Sequence, residues 1–194
     1  LLLFNIVLFG FFSEATSMAV TSVVGQEGVV RKTQFPRLVI PLAVVFTGLF
    51  NLAVNFVVVF VFLLASGIEP QWSWLLLPFA ILALFVLATA LAMGLSSLYV
   101  RFRDTAIIWS VIATALFYAT PVLYPIEFVP DAYKKFVLVN PLTPIFEQAR
   151  KWVSDPNAPG AVEAAGGGMR LLVPSGIFVA ICALGVWIFT REAP

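Results

Sequence analysis

Glu14 is the residue whose type and position point most directly to chemistry, because it is the one acid inside the apolar run Leu1–Val24. An ionisable side chain in a bilayer is costly and usually functional. The sequence leaves two positions open for Glu14: against a water-filled path or partner helix, or solvated near the end of the hydrocarbon. Asn51 and Asn55 lie one helical turn apart in a second apolar run and share a helical face. They predict either contacts between helices or a contact with a transported molecule.

The densest cluster of positive charge lies between two long apolar runs, within residues 25–37. Its six defining residues are Val29, Val30, Arg31, Lys32, Phe35 and Arg37. Charge of this density predicts a loop on the cytoplasmic side of the membrane. Apolar side chains flanked by cations also suit docking into a groove on a soluble partner. The pattern leaves open a loop that only sets orientation and a segment that couples to a partner.

The residue types on which most enzymes depend are scarce. The chain has no histidine and one cysteine, Cys182, which removes the commonest general base and any cluster of cysteine ligands. It also lacks the G-x-x-x-x-G-K-[ST] motif of ATP-binding loops. The sequence therefore predicts no catalytic site, no metal site and no cofactor held by this chain.

Composition predicts an all-α integral membrane protein, a polytopic bundle forming one transmembrane domain over residues 1–194. Charged residues make up 11% of the chain, against about 25% in soluble proteins, and the mean hydropathy is +1.04. About 20 apolar residues cross the hydrocarbon. The five predicted spans are Leu1–Val24, Leu38–Ala65, Trp74–Tyr99, Thr105–Tyr124 and Leu171–Thr190.

The short loops predict the orientation of these spans, since Lys and Arg accumulate on the cytoplasmic side. Arg101 and Arg103 join the basic cluster on that side, so the chain begins outside and ends inside. In the same loop Asp104 is placed to cap the following helix. The two arginines would hold orientation or meet lipid phosphate.

Residues 125–168 are too apolar for an ordinary loop and too charged to span. They predict two short amphipathic helices on the outer face, followed by a flexible linker at Ser154–Gly168. Thr143 is a plausible N-cap of the second helix. The pattern places Glu147 and Arg150 off its apolar face, which is formed by Leu142, Ile145, Phe146, Ala149, Trp152 and Val153.

Five segments carry a resemblance to a known family. They are FFSEATSMAVTSV at 11–23, VVRKTQFPRLVIPL at 29–42, GLSSLYVRFRDT at 94–105, FYATPVLYPIEFVP at 117–130 and NPLTPIFEQAR at 140–150. In this order and spacing they resemble the permease subunits of type 2 ATP-binding-cassette exporters. The branch that they resemble exports O-antigen, teichoic acid and related polysaccharides.

The resemblance implies six helices per permease, so a first helix and a cytoplasmic N-terminal segment are expected to precede this fragment. It implies a multi-pass plasma-membrane protein that pairs with a second copy of itself. Two separate ATPase subunits would hold ATP and Mg²⁺ and contact Val29–Arg37. The cargo would be a lipid-linked glycan, with membrane lipid around the bundle and no nucleic acid involved. Residues 125–152 would form an outer gate, and the aromatics of the path would be Phe11, Phe12, Phe117, Tyr118 and Tyr124.

Three other functions remain open at this stage. One is export of drugs or lipids by a permease of the same superfamily. Another is a membrane enzyme acting on lipid-linked sugars, for which Glu14 is the nearest candidate acid or base. The third is an assembly or scaffold protein with no ATPase partner.

Overall fold

The computed structural model describes residues 2–26, 38–67, 70–153 and 158–192, and within these ranges it contains helices and turns but no strand. The α-helices are α1 (Leu2–Gly25), α2 (Val39–Ala65), α3 (Leu77–Arg101), α4 (Thr105–Ala119), α5 (Asp131–Val139), α6 (Leu142–Val153), α7 (Ala161–Ala164) and α8 (Gly168–Glu192). Short 3-10 helices cover Trp72–Leu76 and Ile126–Phe128. The predicted all-α helical bundle is confirmed.

Four helical segments are long and apolar enough to cross a membrane: Leu2–Gly25, Val39–Ala65, Trp72–Arg101 and Gly168–Arg191. The fourth predicted span is shorter than expected, because α4 has 15 residues and is about 22 Å long. It ends where Thr120 adopts an extended backbone, with φ −93° and ψ 142°. Pro121 follows, and the residue before a proline avoids the helical conformation.

Helix α1 lies at the centre of the bundle and packs mainly against α2 and α3, with a smaller contact to α4. Its buried side includes Phe4, Leu8 and Phe12. Gly48 lets α2 approach closely, since a Cβ there would lie 3.2 Å from the Ala15 Cβ. Small residues at such contacts are the usual way in which membrane helices pack.

Helices α3 and α8 touch through their backbones. A Cβ at Gly94 would lie 3.3 Å from the Cα of Gly185, and one at Gly185 would overlap the carbonyl oxygen of Ala90. Ala83 lines a pocket with Pro174 and Phe178, so residue numbers rise together along both helices and the two helices run parallel. The contact joins the last span firmly to the bundle.

Residues 120–153 and 158–165 cover one end of the bundle, which we call the outer end because the charge pattern predicts that it faces away from the cytoplasm. The Asn5 side chain donates to the carbonyl oxygen of Pro121 at 3.4 Å. The Asn140 amide donates to the Thr120 hydroxyl at 2.8 Å, and the Trp74 indole donates to the carbonyl of Val153 at 3.1 Å. These bonds join the outer segment to α1 and to the 3-10 helix that precedes α3, and they join Asn140 to the start of the segment at Thr120.

The first turn of α6 is stabilised by Asn140 and not by Thr143, so the predicted N-cap is wrong. The Asn140 Oδ1 accepts a hydrogen bond from the Leu142 N–H at 3.0 Å. The Thr143 hydroxyl instead donates to the carbonyl of Val137 at 2.7 Å. Because α6 begins at Leu142, Thr143 is already inside the helix.

The described part of the predicted linker has defined structure. Glu163 of α7 accepts hydrogen bonds from Lys151 Nζ at 2.7 Å and from the Gly160 N–H at 2.8 Å. The Lys151 hydrogen bond holds the pKa of Glu163 below its ordinary value. The Ala161 N–H donates to Gln148 Oε1 at 2.9 Å. A composition rich in glycine and alanine indicates flexibility but does not reveal these contacts with α6.

Candidate translocation surface

One side of α1 is left uncovered by the other described helices. We call it the α1 stripe, and its exposed members are Leu3, Ile6, Gly10, Glu14, Ser17 and Thr21. Most of these residues are small or polar, whereas the opposite side of α1 buries large aromatic and aliphatic side chains. A polar exposed side on the most central helix is unexpected for a surface that faces lipid.

Glu14 lies at the midpoint of the α1 stripe, about 17 Å from either end of the helix. Asn51 of α2 donates a hydrogen bond to Glu14 Oε1 at 3.2 Å, while Asn55 donates to the carbonyl of Asn51 at 3.0 Å. Asn51 therefore joins two helices, and the Asn55 side chain bonds within its own helix. An exposed carboxylate at this depth is costly in lipid, so we expect water or protein to cover it.

A groove of about 460 Å³ runs between α1 and α4, beside Glu14. Its lining residues are Ile6, Phe9, Gly10, Ser13, Ser17, Ser110, Ala113, Thr114, Phe117 and Tyr118. Three of them, Ile6, Gly10 and Ser17, also belong to the α1 stripe. The groove and the stripe thus form one continuous surface, which we call the α1–α4 surface.

Hydroxyl groups are the part of this surface that sequence reasoning missed. Ser110 and Thr114 donate to carbonyls of their own helix, at 2.7 and 2.9 Å, and their oxygens keep lone pairs that can accept from a ligand. Ser13 and Ser17 face them across the groove. The signal was present in the sequence, since each pair is spaced i, i+4 and shares one helical face.

The predicted path aromatics separate into two groups. Phe117 and Tyr118 line the groove, and the Phe117 ring packs edge-on against Phe9 with centroids 5.2 Å apart. Phe11 and Phe12 are buried inside the bundle and do not reach the groove. The Tyr124 hydroxyl donates to the carbonyl of Tyr118 at 2.9 Å, next to the outer end of the groove.

The loop between α3 and α4 holds the predicted cytoplasmic charges. The Arg103 guanidinium lies 5.2 Å from the centre of the Tyr99 ring, and Arg101 lies 5.5 Å from that of Phe102. Asp104 occupies the N-cap position of α4, but its side chain makes no capping hydrogen bond. Its φ of −72° and ψ of −11° are helical, whereas a capping side chain needs an extended backbone.

The six residues predicted to couple to an ATPase lie outside the described residues. They are Val29, Val30, Arg31, Lys32, Phe35 and Arg37. Their neighbours place them between the end of α1 and the start of α2. The coupling role stays a prediction.

The outer segment contains an ionic cluster that the sequence pattern concealed. Arg150 donates to Glu147 Oε2 at 3.2 Å and to both oxygens of Glu127 at 3.3 Å. The side chains of Arg150 and Glu147 are only 7% and 1% exposed, while that of Glu127 is 48% exposed. The pattern of α6 placed Glu147 and Arg150 away from the apolar face, and the loop carrying Glu127 covers that other side.

Burial raises the pKa of Glu147 to about 7. The Arg150 charge and a hydrogen bond from the Ile126 backbone oppose this rise, and the Glu127 charge adds to it. Within the described residues, Glu147 Oε1 and Arg150 Nε have no hydrogen-bond partner. The cluster therefore carries an energetic cost that depends on the protonation of Glu147.

The fold and the α1–α4 surface define a polytopic helical membrane protein with a polar face on its central helix. The model of the ABC-2 type transporter family matches residues 1–153, and the chain belongs to that family. The resemblance seen in the sequence is thereby confirmed. The chain is a multi-pass membrane protein, and in bacteria the location of such a protein is the plasma membrane.

The chain is also similar to individual curated proteins. The chain is 32% identical over 133 residues to the O-antigen export system permease protein RfbA of Myxococcus xanthus, covering 68% of this chain and 51% of that protein. Two proteins of the same name from Klebsiella pneumoniae are each 28% identical over 132 residues, with the same coverage. The chain spans about half the length of the curated relatives it matches.

Proposed function

We propose that this chain is the membrane-spanning subunit of an ATP-driven exporter that moves a lipid-linked polysaccharide from the cytoplasmic to the outer face of the membrane. Membership in the ABC-2 type transporter family supports the transport role. The relatives named as O-antigen export permeases support a polysaccharide as the cargo. O-antigen, teichoic acid and galactan all belong to this class.

The observation that carries the proposal is the α1–α4 surface. Its Ser and Thr hydroxyls both donate and accept hydrogen bonds, which suits the many hydroxyls of a glycan. Phe117 and Tyr118 add ring faces against which the apolar side of a sugar can pack, and Tyr118 is 64% exposed. A few polar groups among apolar walls are the usual composition of a binding site for small molecules.

The mechanism uses two copies of the chain and two separate ATPase subunits. ATP and Mg²⁺ bind to the ATPase subunits, whose closure is transmitted through Val29–Arg37 to α1 and α2. With the α1–α4 surfaces of both copies facing a common path, neither Glu14 carboxylate contacts lipid. The glycan then passes along the hydroxyl groups of the two surfaces and leaves beneath the outer segment.

Cysteine accessibility tests whether the α1–α4 surface faces water. Cys182 is the only native cysteine, so the variants are made in a Cys182→Ser background. We expect Ser17→Cys to react rapidly with a membrane-impermeant, charged methanethiosulfonate reagent. The control is Val54→Cys, an exposed apolar position on α2 one turn from Asn51, which should react slowly. Equal rates at the two positions would contradict the proposed path.

The cargo is tested in cells depleted of the protein. Polyprenyl-linked glycans are extracted, and the membrane face that holds them is determined. Finished glycan retained on the cytoplasmic face is the expected result. Normal amount and sidedness would favour a drug or lipid exporter, and a shortened or unmodified glycan would favour a membrane enzyme.

The coupling segment is tested by reversing two charges together, Arg31→Glu with Lys32→Glu. We expect ATP hydrolysis by the assembled transporter to continue while export falls, because the contact that transmits closure has been lost. Arg103→Glu, in the other predicted cytoplasmic loop, is the matched charge reversal and should export normally. Unchanged export in the double variant would refute the coupling role, and absence of any co-purifying ATPase would favour a scaffold protein.

A further inference from the structure

A second cleft, separate from the α1–α4 surface, lies at the outer end between α5 and α8. It is about 360 Å³ in volume and is lined by Lys135, Leu138, Val139, Ala165, Arg170 and Val173. Lys135, Leu138 and Val139 share one face of α5, while Arg170 and Val173 lie one turn apart on α8. The cleft therefore has two walls, each with one cation and at least one apolar side chain.

The two cations of this cleft differ from the buried arginine and the paired lysine of the outer segment. Arg150 is paired with Glu147 and Glu127, and Lys151 is paired with Glu163. The side chains of Lys135 and Arg170 make no hydrogen bond or ion pair with another described residue, and both residues are exposed. Two positive charges that face the same cleft, neither of them paired with a carboxylate that the structure describes, favour the binding of an anion.

The surroundings of the cleft are those of the membrane interface. Tyr133 and Phe136 of α5 are 63% and 77% exposed, and Met169 at the start of α8 is also exposed. Amphipathic aromatic residues favour the headgroup level of a bilayer, and an amphipathic helix lies there with its apolar side in the acyl region. Lys135 and Arg170 are thus at the depth of lipid phosphates.

We propose that this cleft binds an anionic phospholipid of the leaflet that surrounds the outer end. Its phosphate lies between Lys135 and Arg170, and its acyl chains follow Leu138, Val139 and Val173. Lys contributes a point charge, and Arg can donate two parallel hydrogen bonds to a phosphate. The inference rests on the membrane location of the chain and is independent of the exported cargo.

A lipid held in this way joins two parts of the outer end that have few direct contacts. Helix α5 belongs to the outer segment and α8 is the last span, and the lipid phosphate bridges one cation of each. A ligand that binds the folded state alone stabilises it by RT ln(1 + c/Kd), where c is the free ligand concentration, so the stability rises with lipid concentration. Anionic phospholipid should therefore raise the thermal stability of the protein.

The test measures lipid binding to the intact purified protein by native mass spectrometry, together with its melting temperature. The probes are phosphatidylglycerol and phosphatidylcholine of identical acyl chains. We expect phosphatidylglycerol to bind and to raise the melting temperature more than phosphatidylcholine does. In the Lys135→Gln/Arg170→Gln variant its affinity should fall about thirtyfold, since each of the two basic residues near an anionic lipid surface contributes about 1 kcal/mol.

The matched controls are Lys134→Gln, a neighbouring lysine of α5 outside the cleft, and the double variant Lys134→Gln/Arg191→Gln, which loses the same net charge as the test variant. Arg191 lies against Trp187 near the other end of α8. Both controls should keep wild-type affinity for phosphatidylglycerol. An equal loss in the test and control double variants would show a general charge effect and overturn the site. Equal binding of phosphatidylcholine would also overturn it. Displacement of phosphatidylglycerol by equimolar polyprenyl phosphate would assign the cleft to a lipid carrier and refute the phospholipid proposal.

Discussion

Glu14 and Glu147 are two carboxylates whose surroundings in the sequence and in the structure are opposite. Glu14 stands alone in an apolar span, yet its side chain is exposed on the surface of the chain. Glu147 stands among polar and charged residues on an amphipathic helix, yet its side chain is 1% exposed and paired with Arg150. The two groups also have different partners, since Glu14 meets an amide and Glu147 meets a guanidinium.

The difference shows what each environment permits. An exposed carboxylate in a span depends on something outside the chain to solvate it, so Glu14 points to a path or a second copy. A buried carboxylate must be compensated from within, so Glu147 points to the stability of the outer segment. We therefore expect the Glu14 charge to affect transport. We expect the charges of Glu147 and Arg150 to hold the loop that carries Glu127 against α6.

The largest expected effect comes from Arg150→Met. Removing the guanidinium leaves Glu147 buried without its counter-charge and releases Glu127, and breaking a buried pair in this way costs about 3–5 kcal/mol. The free energy of unfolding, measured by denaturant titration in detergent micelles, should fall by that amount. The same variant should leave the Glu14–Asn51 contact intact.

Lys151→Met is the matched control for Arg150→Met, because it removes the neighbouring cation of the same helix. Its pair with Glu163 is at the surface, and surface pairs contribute about 0–1 kcal/mol. Glu147→Gln in the Arg150→Met background should restore part of the lost stability, since the uncompensated charge is then gone. Equal losses in the Arg150 and Lys151 variants would show that the cluster is not the source of stability.

The next expected effect is a dependence of stability on pH that comes from Glu147. Because the folded pKa of Glu147 is raised from 4.5 to about 7, the folded state favours its protonated form. That stability is present below pH 4.5 and is lost as pH rises through about 7, so the unfolding free energy should decrease over this range. The decrease from this group is on the order of 3 kcal/mol.

Glu147→Gln is the variant that checks this pH dependence, since an amide does not titrate. Denaturant titrations at several pH values should show a flatter profile for the variant than for the wild-type protein. A profile as steep as the wild type would assign the pH dependence to another group.

The smallest expected effect comes from Asn51→Leu, which removes the hydrogen bond to Glu14. Hydrogen bonds between membrane helices contribute about 0.6 kcal/mol on average, so the loss of stability should be of that size. Asn55→Leu is the control, because in the described part of the chain the Asn55 side chain bonds within α2, and its replacement should have less effect. A loss of several kcal/mol in Asn51→Leu would show that Glu14 is compensated within the chain, as Glu147 is.

Long apolar runs were enough to predict the helical bundle. The predicted spans differ from the structure where a local backbone feature ends a helix. The spans at α1, α2, α3 and α8 follow from hydrophobic length alone, whereas α4 ends early at the Thr120–Pro121 step. Phe117 and Tyr118 were expected on the path and line the groove. The serines opposite them were missed, because the sequence does not show that the hydroxyls of α1 and α4 face each other across a groove.

The sequence by itself determined that this chain is a helical membrane protein, where most of its spans lie and to which family it belongs. These properties depend on hydrophobic length and on the order of motifs, both of which are local along the chain. Only the tertiary structure decided that Glu147 and Arg150 are buried, that Glu14 is exposed and that Lys135 meets Arg170 across a cleft. Burial and charge pairing depend on which segments come together. Glu127 and Arg150 are 23 residues apart, and Glu14 and Asn51 are 37 apart. Lys135 and Arg170, which line one cleft, are also distant in the sequence.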